Sequence, residues 1–166
     1  MRKFWVLLSA VALSVITVAG PGASAAHAAT CSDCGLLDKD TKTIRTFTRA
    51  AGAGFSAGKA VLACGYQGWD GETGWGFRHI RHGHEGDWSR ITTMVGGTWQ
   101  VVADWSMAQA LKGPAYVTYT KRNDTYTYKT PIYIYDRRGT MRYSFYSYVV
   151  VAAKTQNIIT AYPAAK

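Results

Sequence analysis

Hydrophobic positions change their spacing several times along this 166-residue chain, and each change marks an expected part. The first part is a continuous apolar run from Phe4 to Val18, too short to span a bilayer. From Asp38 to Ala63, Ile44, Phe47, Ala51 and Phe55 recur at helical spacing, and Asp38 or Asp40 stands where a cap would start a helix. One or two helices are expected there, weakened by Gly52, Gly54 and Gly58. Gly65 to Gly76 holds five glycines with Trp69 and Trp75 among them, the composition of a loop whose backbone comes close to something. Phe77, Ile80, Trp88 and Ile91 then suggest a helix that Gly83 and Gly86 interrupt. A clearer helix follows: Thr98 as N-cap, a stripe of Trp99, Val102, Ser106 and Ala110 flanked by Ala103 and Met107, and a stop at Gly113-Pro114.

From Ala115 onward the period becomes two. Tyr116, Val117 and Tyr119; Tyr126, Tyr128, Ile132 and Ile134; Met141, Tyr143, Phe145, Val149 and Val151; and Ile158, Ile159 and Tyr162 outline four strands. Residues 122–124, 136–139 and 154–157 are the turns, and turns this short make neighbouring strands antiparallel. The expected fold class is α+β, with N-terminal helices packed on a curled antiparallel four-stranded meander. The expected organisation is a secretory signal over 1–28, an N-terminal helical segment over 29–64, and a helix plus antiparallel sheet over 65–166. The last two form one compact domain.

The signal assignment rests on Arg2 and Lys3 before the apolar run, Gly20-Pro21-Gly22 after it, and the small-residue site Ala26-His27-Ala28. No later stretch has ~20 consecutive apolar residues, so the expectation is a secreted, extracellular, monomeric domain with no membrane span. Removal of Arg2 and Lys3 takes the formal charge from +9 to +7 and draws the domain toward polyanions: nucleic acid, acidic wall polymers or anionic membrane. Cys31, Cys34 and Cys64 are an odd set in an oxidising compartment. One disulfide is expected, joining Cys34 or Cys31 to Cys64, and Cys34 with Cys64 is the pairing adopted. A zinc site is the weaker alternative, because Cys31-x-x-Cys34 has no second pair.

Candidate chemistry sits where three of the four histidines, His79, His82 and His84, fall within six positions. Imidazole changes charge near neutrality and suits acid/base work on a phosphodiester. His79 and His82 share a face only on a helix, so their convergence on one substrate predicts a helical turn. RNA cleavage of this kind needs a base for the 2′-hydroxyl, an acid for the 5′ leaving oxygen and donors at phosphorus, and it needs no metal or other cofactor. His79 and His82 are the acid/base candidates; Arg90 and the Thr160 hydroxyl are the donors; Tyr162, two residues from Thr160 on a strand, faces the same way to bind phosphate or stack on a base. Arg81, Lys129 and Arg142 are candidates for holding the substrate, within a set of basic residues interleaved with tyrosines that suits single-stranded nucleic acid.

Two motifs, Gly76-Phe77-Arg78-His79-Ile80-Arg81-His82 and Ile158-Ile159-Thr160-Ala161-Tyr162-Pro163, resemble those of small nuclease toxins grouped around barnase, colicin-type and EndoU-type enzymes. The match is nearest to the RNase A-like domains that close contact-dependent inhibition toxins, where a histidine segment precedes a meander and the chain ends on an Ile-x-Thr-Ala-Tyr-Pro motif. Arg90, eleven residues after His79, resembles the histidine-to-arginine gap of those domains. An EndoU-type site would place a lysine between two histidines, and none occurs between Lys59 and Lys112. The resemblance implies a secreted, toxin-like, metal-independent endoribonuclease that leaves a 2′,3′-cyclic phosphate, with RNA as substrate and an acidic immunity protein as partner in the producing cell.

Two other readings compete. His82-x-His84 with Glu85 and Asp87 could hold a metal, although the i,i+2 spacing converges on a strand and not on a helix. A non-catalytic extracellular module could use the tyrosine-rich sheet to hold a wall polymer or a partner protein.

Overall fold

The period-two half of the chain becomes a four-stranded sheet. A computed structural model describes residues 34–166; the expected signal and Cys31 lie outside the described residues. In order come β1 (Thr43–Arg49), β2 (Gly58–Ala63), β3 (Tyr66–Gln67), β4 (Gly74–Trp75), α1 (Gly76–Val95), α2 (Trp99–Lys112), β5 (Tyr116–Thr120), β6 (Thr125–Tyr135), β7 (Met141–Ala152) and β8 (Ile158–Ala165). Strands β5 to β8 pair antiparallel with their sequence neighbours, so β8 is an edge. Alternation separates two faces. Tyr128, Ile132, Phe145, Val149, Val151 and Ala161 are buried against the helices, while Lys129, Tyr146, Tyr148 and Tyr162 occupy the other face. The fold is α+β, as the change of period indicates.

The helices lie in mid-chain, and residues 38–63 are not helical. They form an antiparallel hairpin, β1 with β2. The physical reason is in Thr43, Ile44, Thr46, Phe47 and Thr48, whose β-branched and aromatic side chains favour extended backbone and carry a period-two burial that hides Phe47 and Arg49. The connection turns at Ala53 and Gly54, both with positive φ. A Cβ on Gly52 would overlap Val117, so the hairpin packs directly on β5. Arg49 is buried beneath the Phe55 ring, 3.6 Å from its centroid, and donates to the Tyr128 hydroxyl at 2.8 Å.

Helix α1 runs unbroken through Gly83 and Gly86, where an interruption is expected from sequence. Each glycine costs the helix ~1 kcal/mol. Burial of Ile80, Trp88 and Ile91 contributes roughly 1.5–3 kcal/mol apiece, so packing overrides the glycines. Trp88 packs edge-on against Phe145 and donates its indole N–H to the Ala161 carbonyl at 3.2 Å, which fixes α1 to the edge strand β8. Thr98 does stand at the start of α2, but its side chain makes no capping hydrogen bond. Among the described residues no helix is long and apolar enough to cross a membrane.

Candidate functional site

The stretch expected to be a glycine loop is the frame on which the histidines are mounted. Cys64 and Cys34 form a disulfide with their Cα atoms 5.6 Å apart. Gly65 has φ +63, and a Cβ there would collide with the Trp75 carbonyl, so the close approach that the glycines permit is to the chain's own helix start. Arg78 secures that start. Its guanidinium donates to the Asp40 carboxylate and the Gly65, Gly35 and Asp38 carbonyls at 2.7–2.8 Å, and its backbone N–H donates to the Cys64 carbonyl. Arg78 is thereby a clamp for residues 35–40 and is spent on them.

His79, the next residue, is half-buried, and its Nδ1 lies 2.9 Å from Gln67 Oε1 on β3. The Gln67 amide nitrogen faces the Gly68 and Thr73 carbonyls at 3.2 and 3.3 Å, which turns its oxygen toward the imidazole. Nδ1 of His79 therefore carries the proton and donates it, and Nε2 holds the lone pair. Gly74, at φ +151, leaves the room: a Cβ there would come within 3.0 Å of His79 Nδ1 and 2.6 Å of the Tyr66 carbonyl. Burial, then the neighbouring His84 and His82, hold the His79 pKa below its ordinary 6.5. At neutral pH this imidazole is a free base.

His84 meets His79 edge-on, ring centroids 6.3 Å apart, and its Nδ1 lies 3.3 Å from Asp87 Oδ2. The opposite side of His84 faces Tyr162 of β8 at 5.1 Å. Tyr162 stacks on Tyr148 of β7 at 5.0 Å with planes 6° apart, and burial followed by that neighbour raises its pKa above 10.0. The Lys129 ammonium lies 5.2 Å from the Tyr148 ring and 3.9 Å from the Tyr146 ring, and a hydrogen bond with Tyr148 is the main cause that raises its pKa. A continuous row results, Gln67, His79, His84, Tyr162, Tyr148 and Lys129, running from the β3–β4 hairpin over α1 to the outer face of the sheet.

Of the residues singled out from sequence for RNA cleavage, the row holds His79, Tyr162 and Lys129; it also holds His84, singled out there only in the histidine cluster and the metal reading. His82 is exposed one helical turn from His79, with Gly71 of the β3–β4 turn close to its Nε2. Thr160 faces the same side of β8 as Tyr162, with Ala161 buried on the other, but its hydroxyl is buried and has no hydrogen-bond partner, so it presents nothing to a phosphate in this conformation. Arg90 is 83 % exposed and lies 3.7 Å from Asp87, the carboxylate that also holds His84. Arg81 is exposed with its guanidinium 5.9 Å from the Phe77 ring. Arg142 is tied to Asp136 at 2.9 Å near the β6–β7 turn, six residues up β7 from Tyr148 and so roughly 20 Å from it.

Three members of the row do not stand out from spacing. His84 lies five positions after His79, about 140° round a helix, a separation that predicts no shared face, yet the two rings meet edge-on. Gln67 sits in a glycine-rich stretch without periodicity. Tyr148 is one tyrosine among eleven. Among the described residues, the metal-ligand atoms that gather within 4.8 Å in a group of three are those of Cys34, Asp38 and Cys64, and the two thiols are joined in the disulfide. A half-open apolar pocket of about 210 Å³ lies at the other end of α1, walled by residues such as Ile91, Val102, Trp105 and Ile132, and contains no member of the row.

Two proteins of Mycobacterium tuberculosis, "Uncharacterized protein MT0764" and "Uncharacterized protein Rv0739", are similar to this chain, each 30% identical over 129 residues. The matched stretch covers 74% of the chain and 44% of each relative, so the chain spans less than half the length of the curated relatives it matches. No family model matches the chain, and no solved structure matches it.

Proposed function

We propose that the row is the active site of a secreted, metal-independent endoribonuclease in which His79 is the general base and His84 the general acid. The observation that carries this reading is the pairing of two imidazoles with opposite surroundings. His79 is half-buried, its Nδ1–H held by Gln67, and its basic Nε2 makes no hydrogen bond to the described residues; His84, 6.3 Å away, has a carboxylate at Nδ1. Such a pair divides one proton-transfer cycle between two groups. His79 Nε2 takes the 2′-hydroxyl proton, the 2′-oxygen attacks phosphorus, the bond to the 5′-oxygen breaks, and protonated His84 returns a proton to that oxygen. The products are a 2′,3′-cyclic phosphate and a free 5′-hydroxyl. Tyr162, against His84, lies beside the phosphate or its base, and Lys129 holds backbone charge further along.

The basic excess of +7 after signal removal supports a polyanionic substrate, and the Cys34–Cys64 disulfide fits an oxidising compartment outside the cell. A toxin of this kind would be held in check in the producing cell by an acidic immunity protein that covers the row. The test is incubation of the purified protein with RNA in excess chelator. Wild type should release fragments ending in 2′,3′-cyclic phosphate, and His79→Ala and His84→Ala should each lose roughly 10²- to 10⁴-fold in rate. Absence of cleavage in wild type, or full cleavage by the double variant, removes the proposal. The tyrosines of the outer face, with Tyr116 exposed as well, support the competing reading of a non-catalytic binding module; retention of a wall polymer without RNA cleavage would favour it.

A further inference from the structure

The row has a neighbour that no part of the chemistry above uses. Trp69 sits at the tip of the β3–β4 hairpin, two residues from Gln67, and its side chain is fully exposed. Its indole presents a large flat apolar face to solvent, a surface on which a ring can stack. The turn that bears it is not loose. Asp70 Oδ1 accepts hydrogen bonds from the Glu72 and Thr73 backbone N–H groups and from the Thr73 hydroxyl at 2.7–3.0 Å, and the Gly68 N–H donates to the Thr73 carbonyl at 2.7 Å. Gly71 of the same turn approaches His82 on α1, so the tip stands over the histidine helix. On the far side of the histidines come Tyr162 and Tyr148, already face to face with each other. The turn that carries Trp69 thus lies at one end of the two imidazoles, through Gln67, and the sheet that carries Tyr162 and Tyr148 at the other.

We infer that Trp69 is a substrate-contacting residue, stacking an unpaired base next to the cleaved phosphate, and that the site takes single-stranded RNA and rejects the duplex. The inference rests on the ribonuclease reading and goes beyond it by naming the residue that reads an unpaired base. Bases in an A-form helix are stacked on each other and hidden from an indole, whereas a splayed single strand exposes a π-face at every nucleotide. A short, preorganised turn loses little freedom when it binds, so stacking there falls directly on affinity. Tyrosines already stacked at 5.0 Å leave no gap for a base between them, so a base meets the open faces at either end of the row.

The test uses the purified protein in chelator with an end-labelled RNA oligomer, alone and annealed to its complement. The single strand should be cut at least tenfold faster than the duplex. Trp69→Ala should raise KM for the single strand roughly tenfold, with the loss falling on KM rather than kcat, and Trp69→Phe should recover most of it. Equal cleavage of both forms, or an unchanged KM in Trp69→Ala, overturns the inference while leaving the ribonuclease reading intact. If wild type cuts no RNA, that reading fails on its own, and anisotropy with an uncleavable 2′-O-methyl oligomer decides the stacking role. Binding about tenfold weaker in Trp69→Ala upholds it; equal binding, or none by wild type, overturns it.

Discussion

At Gln67 a single amide decides which nitrogen of His79 can act. Its oxygen accepts the Nδ1 proton because its nitrogen is committed to two carbonyls. Gln67→Leu keeps the volume and removes the acceptor, so the proton is no longer confined to Nδ1 and a fraction of the rings presents the wrong nitrogen; RNA cleavage should fall by ~10-fold or more, with folding intact by circular dichroism. The depressed pKa of His79 has consequences for activity and for stability. As a base it must be unprotonated, so the acid limb of kcat/KM should turn below pH 6.5. For stability, the unfolded chain binds a proton at this residue more readily than the folded one. Unfolding free energy therefore rises with pH between the folded pKa and 6.5 and is lost as pH falls through that window. A His79→Gln variant should show a shallower acid loss in urea titrations taken from pH 7 to pH 5. Thr160 gives the opposite kind of prediction. Its buried hydroxyl has no partner, so Thr160→Val should be neutral or stabilising by up to ~1 kcal/mol, and cleavage should stay within about threefold of wild type. A loss of a hundredfold would return the hydroxyl to the chemistry.

Helix α1 carries two glycines on its exposed side, at Gly83 and Gly86, with nothing within 4 Å of where a Cβ would stand. Replacing both by alanine should add ~1–2 kcal/mol to the unfolding free energy measured in urea, since the helix is already formed and only backbone entropy changes. Destabilisation would mean that the site needs a looser helix than its packing indicates. The same helix shows what was and was not legible in the sequence. Its apolar residues Phe77, Ile80, Trp88 and Ile91 announce it, and so do the stripe of α2 and the alternation of β5 to β8, because each period is sustained over several turns or strands. The β1–β2 hairpin was hidden because Ile44, Phe47, Ala51 and Phe55 imitate a helical spacing by coincidence, while the threonines between them carry the strand preference. His79 and Tyr162 could be picked out as residue types in a motif; the ring of His84 could not be placed between them, since its contact with Tyr162 joins α1 to β8 and local spacing does not encode that packing.

Across the whole molecule, the histidine row depends on a segment far from it in sequence. Arg78 has four acceptors in its guanidinium's reach, three of them on residues 35–40, and those residues are anchored by the Cys34–Cys64 disulfide. The bridge closes a separation of 30 residues, which the loop-entropy model values at about 3 kcal/mol. A domain of this size loses ~2–4 °C of Tm per kcal/mol, so the paired Cys34→Ser and Cys64→Ser variant should melt about 10 °C lower. The effect on function should not track that loss alone. Freed residues 35–40 withdraw their carbonyls from Arg78, which leaves a half-buried guanidinium short of acceptors one position before His79 and loosens the start of α1 against Gly65. Cleavage measured well below the lowered Tm should therefore still fall severalfold, and Arg78→Lys, which keeps the charge but cannot span four acceptors, should reproduce the fall with the disulfide intact. Full activity at low temperature in both variants would show that the row is held by Trp88 and β8 alone, and that the disulfide serves only global stability.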